Sequence, residues 1–298
     1  MKKNRLDAII PLMLISVVLS CTSNPFFKDD AIKSKDVVSG VVTLSDGTDP
    51  ENVFVWFEQN GISTRTDGDG AFKLVLPSPA SQTGGGWTGQ FTCYFYMAGY
   101  IPDSVEVWLR DGYIEWGKGA VDTKGEINKE IVLRKNLKTS LTIEPQTVFA
   151  DFSGEVEGRF SVQAIEEKAH VKIPYTYKNT NITRYILEMP GEEGYPKFIE
   201  HPTISGISES SYSLQPGESL NLTLLISWPP LAGREFWTYL PGDYQFLPCF
   251  WIQPDDLPEA MQEDVKQYFT FDKNYLDYPM VLPVGRMTVR SDSTMTQD

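Results

Sequence analysis

The sequence predicts an all-β protein with two β-sandwich domains in tandem, preceded by a secretory signal and a short tether and including one short helix. Short runs rich in β-branched and aromatic residues recur along most of the chain, with Gly, Pro, Asn and Asp between them. Apolar residues at helical spacing are confined to residues 254–269. About six of these runs occur in the first hundred residues after the tether, which is the scale of one sandwich.

Residues 1–20 have the pattern of a secretory signal peptide. Three basic residues precede an apolar run from Ala8 to Leu19, which is shorter than the roughly 20 residues that a membrane span needs. The run ends in VLSC, which resembles the bacterial lipobox and implies that Cys21 is acylated and becomes the mature N-terminus. Two acyl chains hold a protein stably on a membrane. An ordinary cleaved signal, with Cys21 incidental, is the alternative.

Residues 21–36 are polar and without periodicity, and they are expected to form a tether between the lipid and the folded part. The residue after the cysteine is Thr22 and not an aspartate. If this chain resembles proteobacterial lipoproteins in its sorting, that residue favours the outer membrane. The predicted location is therefore the bacterial cell envelope. Attachment to the periplasmic face and attachment to the cell-surface face of the membrane are both kept as alternatives.

The first domain is predicted over residues 37–134. Its strand candidates are apolar or alternate apolar with polar residues, and turn residues separate them. They are 37–44, 52–59, 71–77, 90–97, 104–109 and 128–133. Residues 78–90 and 110–126 are predicted to project from the sandwich as loops.

The stretch TRTDGDGAFKLVLP, residues 64–77, has two interpretations, a calcium loop or a tight turn between two strands. An EF-hand loop starting at Asp67 would place Asp69 at its third position, but alanine, phenylalanine and serine fall where an oxygen ligand, glycine and glutamate are required. In a β-hairpin, Gly68 and Gly70 would adopt positive φ and the aspartates would bond their own backbone. The hairpin is favoured, and weak calcium binding at Asp67 and Asp69 stays open.

The second domain is predicted over residues 137–290. Its strand candidates are 139–145, 158–164, 169–179, 218–228, 242–252 and 285–290. The polar residues 291–298 are predicted to be a disordered tail.

One helix is predicted within residues 254–269. Asp255 or Asp256 would cap its N-terminus. Leu257, Met261 and Val265 fall four residues apart, so they share one face, which is expected to cover an end of the second domain.

Three short motifs, G-x-V, T-D-x-x-G-x-F and small-Gly-Tyr, occur at Gly40–Val42, Thr66–Phe72 and Ala98–Tyr100. With these motifs the first domain resembles the carboxypeptidase regulatory-like domain, a transthyretin-like, prealbumin-type β-sandwich. The resemblance implies a structural or binding module without catalysis. The two predicted loops are insertions relative to the pattern of that family.

Pro-Gly corners at Pro216–Glu218 and Pro241–Tyr244 resemble those of bacterial Ig-like folds, including the BsuPI-type proteinase-inhibitor domain. Any sandwich with Pro-Gly corners would show this pattern. The resemblance therefore implies an Ig-like architecture for the second domain, and protease inhibition is kept as a third functional hypothesis.

Cys93 and Cys249 are the cysteines that remain beside Cys21. Each shares a strand face with large apolar residues, which predicts two small core residues. A disulfide between the domains is the less favoured alternative.

The charge balance limits the partners. Removal of residues 1–20 leaves 23 basic residues against 39 acidic ones, a net charge of −16. Nucleic-acid binding needs a basic surface, so nucleic acid is excluded. No polybasic segment assists an approach to anionic lipid, so the acyl chains are the expected membrane contact.

Catalytic motifs are absent or out of context. GGGWTG at residues 84–89 satisfies a dinucleotide-binding pattern, but it precedes a strand rather than a helix. His170 and His201 belong to no metal-ligand or triad motif, and G-x-S-x-G does not occur. The sequence therefore predicts a protein that is not an enzyme and that uses no metal or cofactor.

Aromatic residues are the remaining candidates for binding. Trp87 lies in the first predicted loop, and Trp108, Tyr113 and Trp116 cluster around the second. Exposed aromatic rings stack on sugars or anchor protein partners. The favoured alternative is that these rings close the ends of the sandwich as small cores, and Trp87 is the one most expected to be exposed.

Together these observations predict a non-catalytic, membrane-tethered lipoprotein of the cell envelope with a structural or protein-binding role in adhesion or assembly. The alternative is a glycan-binding accessory lipoprotein of an uptake or degradation system. The expected partners are the membrane, through the lipid anchor, and an envelope protein or a glycan.

Overall fold

The computed structural model describes most of the chain beyond the predicted tether, within one compact unit. The described residues are 36–59, 61–150, 152, 154–175, 182–183, 185–188, 197–198, 208–226, 241–270 and 273–291. Cys21, the signal peptide, His201, residues 21–35 of the tether and residues 292–298 of the tail lie outside them. Within the described residues, no helix is both long enough and apolar enough to cross a membrane.

Two sheets form before residue 136. Their strands are β1 Val37–Leu44, β2 Phe54–Phe57, β3 Ile62–Arg65, β4 Ala71–Val75, β5 Gly89–Tyr96, β6 Tyr100–Ile101, β7 Asp103–Arg110, β8 Tyr113–Gly119 and β9 Ile131–Lys135. Sheet A has the order β4-β1-β9-β6, and sheet B has the order β3-β2-β5-β7-β8. The β1–β9 pair is parallel, and the other pairs in these sheets are antiparallel.

Residues of both sheets share one hydrophobic core. In β1, Val38, Val42 and Leu44 are buried while Val41 and Thr43 are exposed, as expected for a strand with one face on a core. Sheet B contributes Val55, Phe57, Phe95 and Val107 to the same cluster, among others. The all-β prediction is confirmed, since strands dominate the described chain.

The turn at residues 64–77 is confirmed, but the predicted β-hairpin is wrong. β3 belongs to sheet B and β4 to sheet A, so the chain crosses between sheets here. The Oδ1 atom of Asp67 accepts the N–H groups of Asp69 at 3.1 Å and Ala71 at 2.9 Å, which closes the turn. Gly70 has a φ of +76°, whereas Gly68 does not adopt positive φ.

Residues 110–126, predicted to be a loop, contain β8, which forms a hairpin with β7. Asp111 and Gly112 connect the strands with φ values of +52° and +82°. An Asp-Gly pair with two positive φ values is a favoured two-residue hairpin turn. The loop prediction is therefore wrong for Tyr113 and Trp116, which lie on a strand.

Three further sheets form after residue 136. Their strands are β10 Leu137–Glu144, β11 Thr147–Phe149, β12 Val156–Ala164, β13 Ala169–Tyr175, β14 Ile182–Thr183, β15 Tyr185–Glu188, β16 Lys197–Phe198, β17 Ser208–Leu214, β18 Ser219–Ile226, β19 Gly242–Pro248, β20 Trp251–Gln253 and β21 Gly285–Arg290. The sheet orders are β10-β12-β18-β14, β11-β21-β19-β15-β16 and β17-β13-β20. Large side chains from all three, such as Phe160, Phe246 and Val171, meet in a second hydrophobic core.

The predicted helix is present as α1, Glu259–Lys266. Leu257, Met261 and Val265 are all buried, so the predicted apolar face is confirmed. The predicted aspartate cap is wrong, because Pro258 occupies the N-cap position and no side chain bonds the first turn. Two short 3-10 helices complete the described helical structure, at Pro79–Ser81 and Lys273–Asp277.

Part of the outer face of sheet B packs against the C-terminal part of the chain, in a contact that we call the seam. Trp56 and Tyr96 point outward from sheet B and are buried in the second core, beside Tyr278. Trp56 Nε1 donates to Asp264 Oδ2 at 2.8 Å, and the hydroxyls of Tyr96 and Tyr278 lie 3.2 Å apart. Burial raises the pKa of both phenols, so both are neutral at pH 7.

Backbone contacts reinforce the seam. Ala98 N donates to Pro279 O at 2.7 Å. At the crossing between the two halves, Asn136 Oδ1 accepts the N–H groups of Glu166 and Glu167 at 3.1 and 2.7 Å. The halves are thus joined by a buried aromatic contact as well as by the chain itself.

Cys93 and Cys249 are both buried and are not joined by a disulfide. The prediction that they are small core residues is confirmed. Burial raises the pKa of the Cys93 thiol to about 12, so it is protonated at neutral pH.

Candidate binding surface on sheet B

The first predicted loop folds back on the core and buries Trp87. Gln82 Nε2 donates to the carbonyl oxygens of Pro77 and Gly112 at 2.8 and 2.9 Å, and its Oε1 accepts the N–H of Trp87 at 2.8 Å. The Trp87 ring packs on Phe57 with 6.5 Å between centroids, and the side chain is only 5% exposed. The expectation that Trp87 is exposed is therefore wrong, because a buried glutamine satisfies the backbone of the Gly-rich segment.

Trp116 also packs inward. It is half-buried against the core of sheets A and B. A Cβ atom at Gly125 would lie 2.9 Å from its ring, so the turn before β9 lies directly on the indole. Trp87 and Trp116 thus follow the favoured interpretation, in which aromatic rings close the end of the sandwich.

Trp108 and Tyr113 lie together on the outer face of sheet B. Trp108 is half-buried between the fully buried Val107 and Leu109, so it points away from the core. Tyr113 pairs with Arg110 across the hairpin and is 48% exposed. The structure therefore brings two of the four predicted aromatic residues to one surface.

Polar residues that the sequence analysis did not single out complete this surface. Gln90 lies opposite Trp108, and Thr92 lies opposite Glu106, on the neighbouring strands β5 and β7. We call the whole surface the Trp108 face; its members are Glu58, Gln90, Thr92, Glu106, Trp108, Arg110, Tyr113, Glu115 and Lys118. Alternation in SVEVWL would have placed Glu106 beside Trp108, but no local signal indicates the contribution of β8.

A cation already lies on the aromatic ring of this surface. Lys118 Nζ is 3.7 Å from the centroid of the Trp108 ring and 3.1 Å from Glu115 Oε2. Arg110 Nη2 lies 2.6 Å from the other oxygen of Glu115. One carboxylate therefore contacts two cations, and the three side chains together keep one positive charge. The side chains of Lys118 and Arg110 are 42% and 67% exposed, so these contacts are solvent-screened.

Two further carboxylates on the face have no cation partner within the described part of the chain. Glu58 Oε2 accepts the N–H of Thr92 at 3.0 Å, and Glu106 is exposed on the other side of Thr92. Among the described residues, no lysine or arginine lies within ion-pair distance of Glu58 or Glu106. The Trp108 face therefore carries three carboxylates against two cations, a net charge of −1, and its two unpaired carboxylates lie on the side of Trp108 away from Glu115.

A small groove lies where the two halves of the described chain meet. It has a volume of about 60 Å³, and its lining includes Tyr100, Asn136, His170 and Asp255. His170 Nε2 lies 3.4 Å from Asp255 Oδ2. The groove is small beside the roughly 300–1,000 Å³ of typical ligand pockets. No group of three His, Cys, Asp or Glu side chains in the described part of the chain is arranged to hold a metal ion.

Comparisons with known proteins identify no family. No protein-family model matches this sequence, and no curated protein matches it. Among solved structures, the chain is similar to BcpA, the major pilin subunit of Bacillus cereus, with 9% identity, a TM-score of 0.24, and coverage of 85% of this chain and 68% of the pilin. A single-residue variant of the same pilin gives 10% identity, a TM-score of 0.26, and coverage of 86% and 69%. Similarity this weak carries no argument, so function has to be inferred from the residues of this chain.

Proposed function

We propose that this protein is a non-catalytic lipoprotein of the bacterial cell envelope, anchored through acylated Cys21, that presents a protein-binding surface in adhesion or assembly. The observation that carries the protein-binding role is the Trp108 face. It lies on a sheet whose other end is held in the seam, so its side chains stand on a rigid support. The lipobox-like VLSC segment supports the anchor.

Metabolic labelling with palmitate tests the anchor. The wild-type protein and a Thr22→Ala control should both take up label, and Cys21→Ala should take up none. Equal label in all three proteins, or recovery of the wild-type protein in the soluble extract, would remove the anchor from this proposal. Turnover of any substrate by the purified protein would contradict its non-catalytic part.

Glycan binding is the second candidate function, and a specific observation favours it. Tyr113 and Trp108 share a surface with Gln90 and Thr92, and aromatic rings beside hydrogen-bonding side chains suit sugar rings and their hydroxyls. A glycan array that compares the wild-type protein with Tyr113→Ala tests this candidate. No binding, or binding that is unchanged in the variant, would count against it.

A further inference from the structure

We propose that the Trp108 face recognises a basic partner segment, in which a lysine or arginine side chain takes the place of Lys118 on the Trp108 ring. This inference rests on the protein-binding role proposed above and names the chemistry of the partner. A neutral sugar is the competing ligand, since it would use the same aromatic residues.

The contact between Lys118 and Trp108 shows that the indole ring accepts a cation. The ammonium group of Lys118 is centred 3.7 Å from the Trp108 ring, so the face of the indole holds a cation in the unbound protein. A sugar ring would have to remove that cation and would supply no replacement charge. A basic side chain from a partner restores the same interaction, and Lys118 can keep its ion pair with Glu115, whose Oε2 atom is already 3.1 Å from Lys118 Nζ.

The two carboxylates on the other side of the ring favour the same ligand. Lys118 and Arg110 share Glu115, whereas Glu58 and Glu106 have no lysine or arginine partner among the residues that the structure describes. The whole chain has a net charge of −14, so it attracts basic partners from a distance at low salt.

The spacing fits an extended partner. Glu106 and Trp108 are two residues apart on β7, which is roughly 7 Å, and alternate side chains of an extended segment repeat at the same interval. A partner segment that runs along β7 can therefore place the basic side chain of one residue on Trp108. The side chain two residues further along the segment then lies beside Glu106. Glu58 lies two strands away from Glu106, at roughly 10 Å, and can pair with a neighbouring basic residue.

The test measures binding of a fluorescently labelled lysine decapeptide to the purified full chain in non-ionic detergent, by fluorescence anisotropy at low salt. Each substitution on the face has a charge-matched control elsewhere. Glu106→Gln is compared with Glu209→Gln on β17, and Lys118→Met is compared with Lys138→Met on β10, where Glu209 and Lys138 are both exposed. Thermal unfolding of each variant checks that the fold is retained.

We expect Glu106→Gln to weaken binding at least threefold and Lys118→Met to tighten it about two- to fivefold, because the internal competitor is gone. Both controls should change the affinity by less than 1.5-fold. Equal effects of face and control variants would mean that only total charge matters, and would overturn the proposal. Absence of binding, or binding of neutral oligosaccharides in place of the peptide, would also overturn it, while the palmitate result would stand separately.

Discussion

Tyr278→Phe is the most direct probe of the seam, because it removes one oxygen atom and almost no volume. The Tyr278 hydroxyl accepts the N–H of Ile252 at 3.1 Å and donates to the carbonyl oxygen of Ile252 at 3.0 Å. It also lies 3.2 Å from the hydroxyl of Tyr96, which comes from sheet B. All of these groups are buried.

The size of the effect follows from these bonds. A hydrogen bond contributes about 1 kcal/mol net, and a buried donor or acceptor left without its partner costs about 1–3 kcal/mol. We therefore expect the free energy of unfolding to fall by about 2 kcal/mol. For a chain of this size that corresponds to a fall in Tm of roughly 3–4 °C.

Urea unfolding followed by tryptophan fluorescence measures this change, with Tyr113→Phe as the exposed control. The control should change the free energy of unfolding by less than about 0.5 kcal/mol. A double-mutant cycle with Tyr96→Phe should give a coupling energy of at least about 0.5 kcal/mol, since the hydroxyls are in contact. A loss in Tyr278→Phe no larger than in the control, or zero coupling to Tyr96, would refute the hydrogen-bonded seam.

Three further outcomes are expected. Gly70→Ala should lower the free energy of unfolding by more than about 3 kcal/mol, and Gly47→Ala should lower it by about 1 kcal/mol. Both glycines have φ above +70°, but only at Gly70 would an added Cβ atom lie 2.1 Å from a carbonyl oxygen. Equal losses of the two variants in urea unfolding would contradict this. Burial alone raises the pKa of the Asp46 carboxyl, but hydrogen bonds, the largest from Lys135, outweigh it and lower that pKa to about 2. The stabilisation by the ionised Asp46 carboxylate is complete above about pH 4 and is lost as the pH falls from about 4 to 2. Over that range the free energy of unfolding of the wild type should therefore fall by about 1 kcal/mol more than that of Asp46→Asn, a value that allows for solvent screening. Parallel plots of unfolding free energy against pH for the two proteins would argue against it. Cys93 should resist iodoacetamide at pH 8 in the native state and react in urea, as measured by peptide mass spectrometry, and rapid native labelling would contradict its burial.

Much of the strand content could be predicted because it depends on local pattern. β1 and β21 occupy the predicted residues, 37–44 and 285–290, because β1 is rich in valine and ends at turn residues, and apolar residues alternate with polar ones in β21. The helix was also predictable, since Leu257, Met261 and Val265 repeat at four-residue intervals. Its cap was not, because the choice between an aspartate and Pro258 depends on where the chain enters the helix.

The errors concern features that depend on distant parts of the chain. The turn around Asp67 has the residues of a hairpin, but whether its strands pair is decided by the sheet that each strand joins. Trp87 is buried because Gln82, in the same insertion, bonds Gly112 on another turn. Likewise, the alternation in SVEVWL could have placed Trp108 on the outer face of a strand, but the position of Lys118 over the ring depends on the register shift between β7 and β8.

The seam also limits how this chain can be divided or inherited. A fragment that ended at residue 135 would leave Trp56 and Tyr96 facing water, as an aromatic patch prone to association. The first half could then be transferred to another protein as an independent domain only if that protein supplied a residue that packs on Trp56 and Tyr96 as Tyr278 does. Sequence change on the two sides of the contact is therefore expected to be correlated, even though the residues lie 182 positions apart.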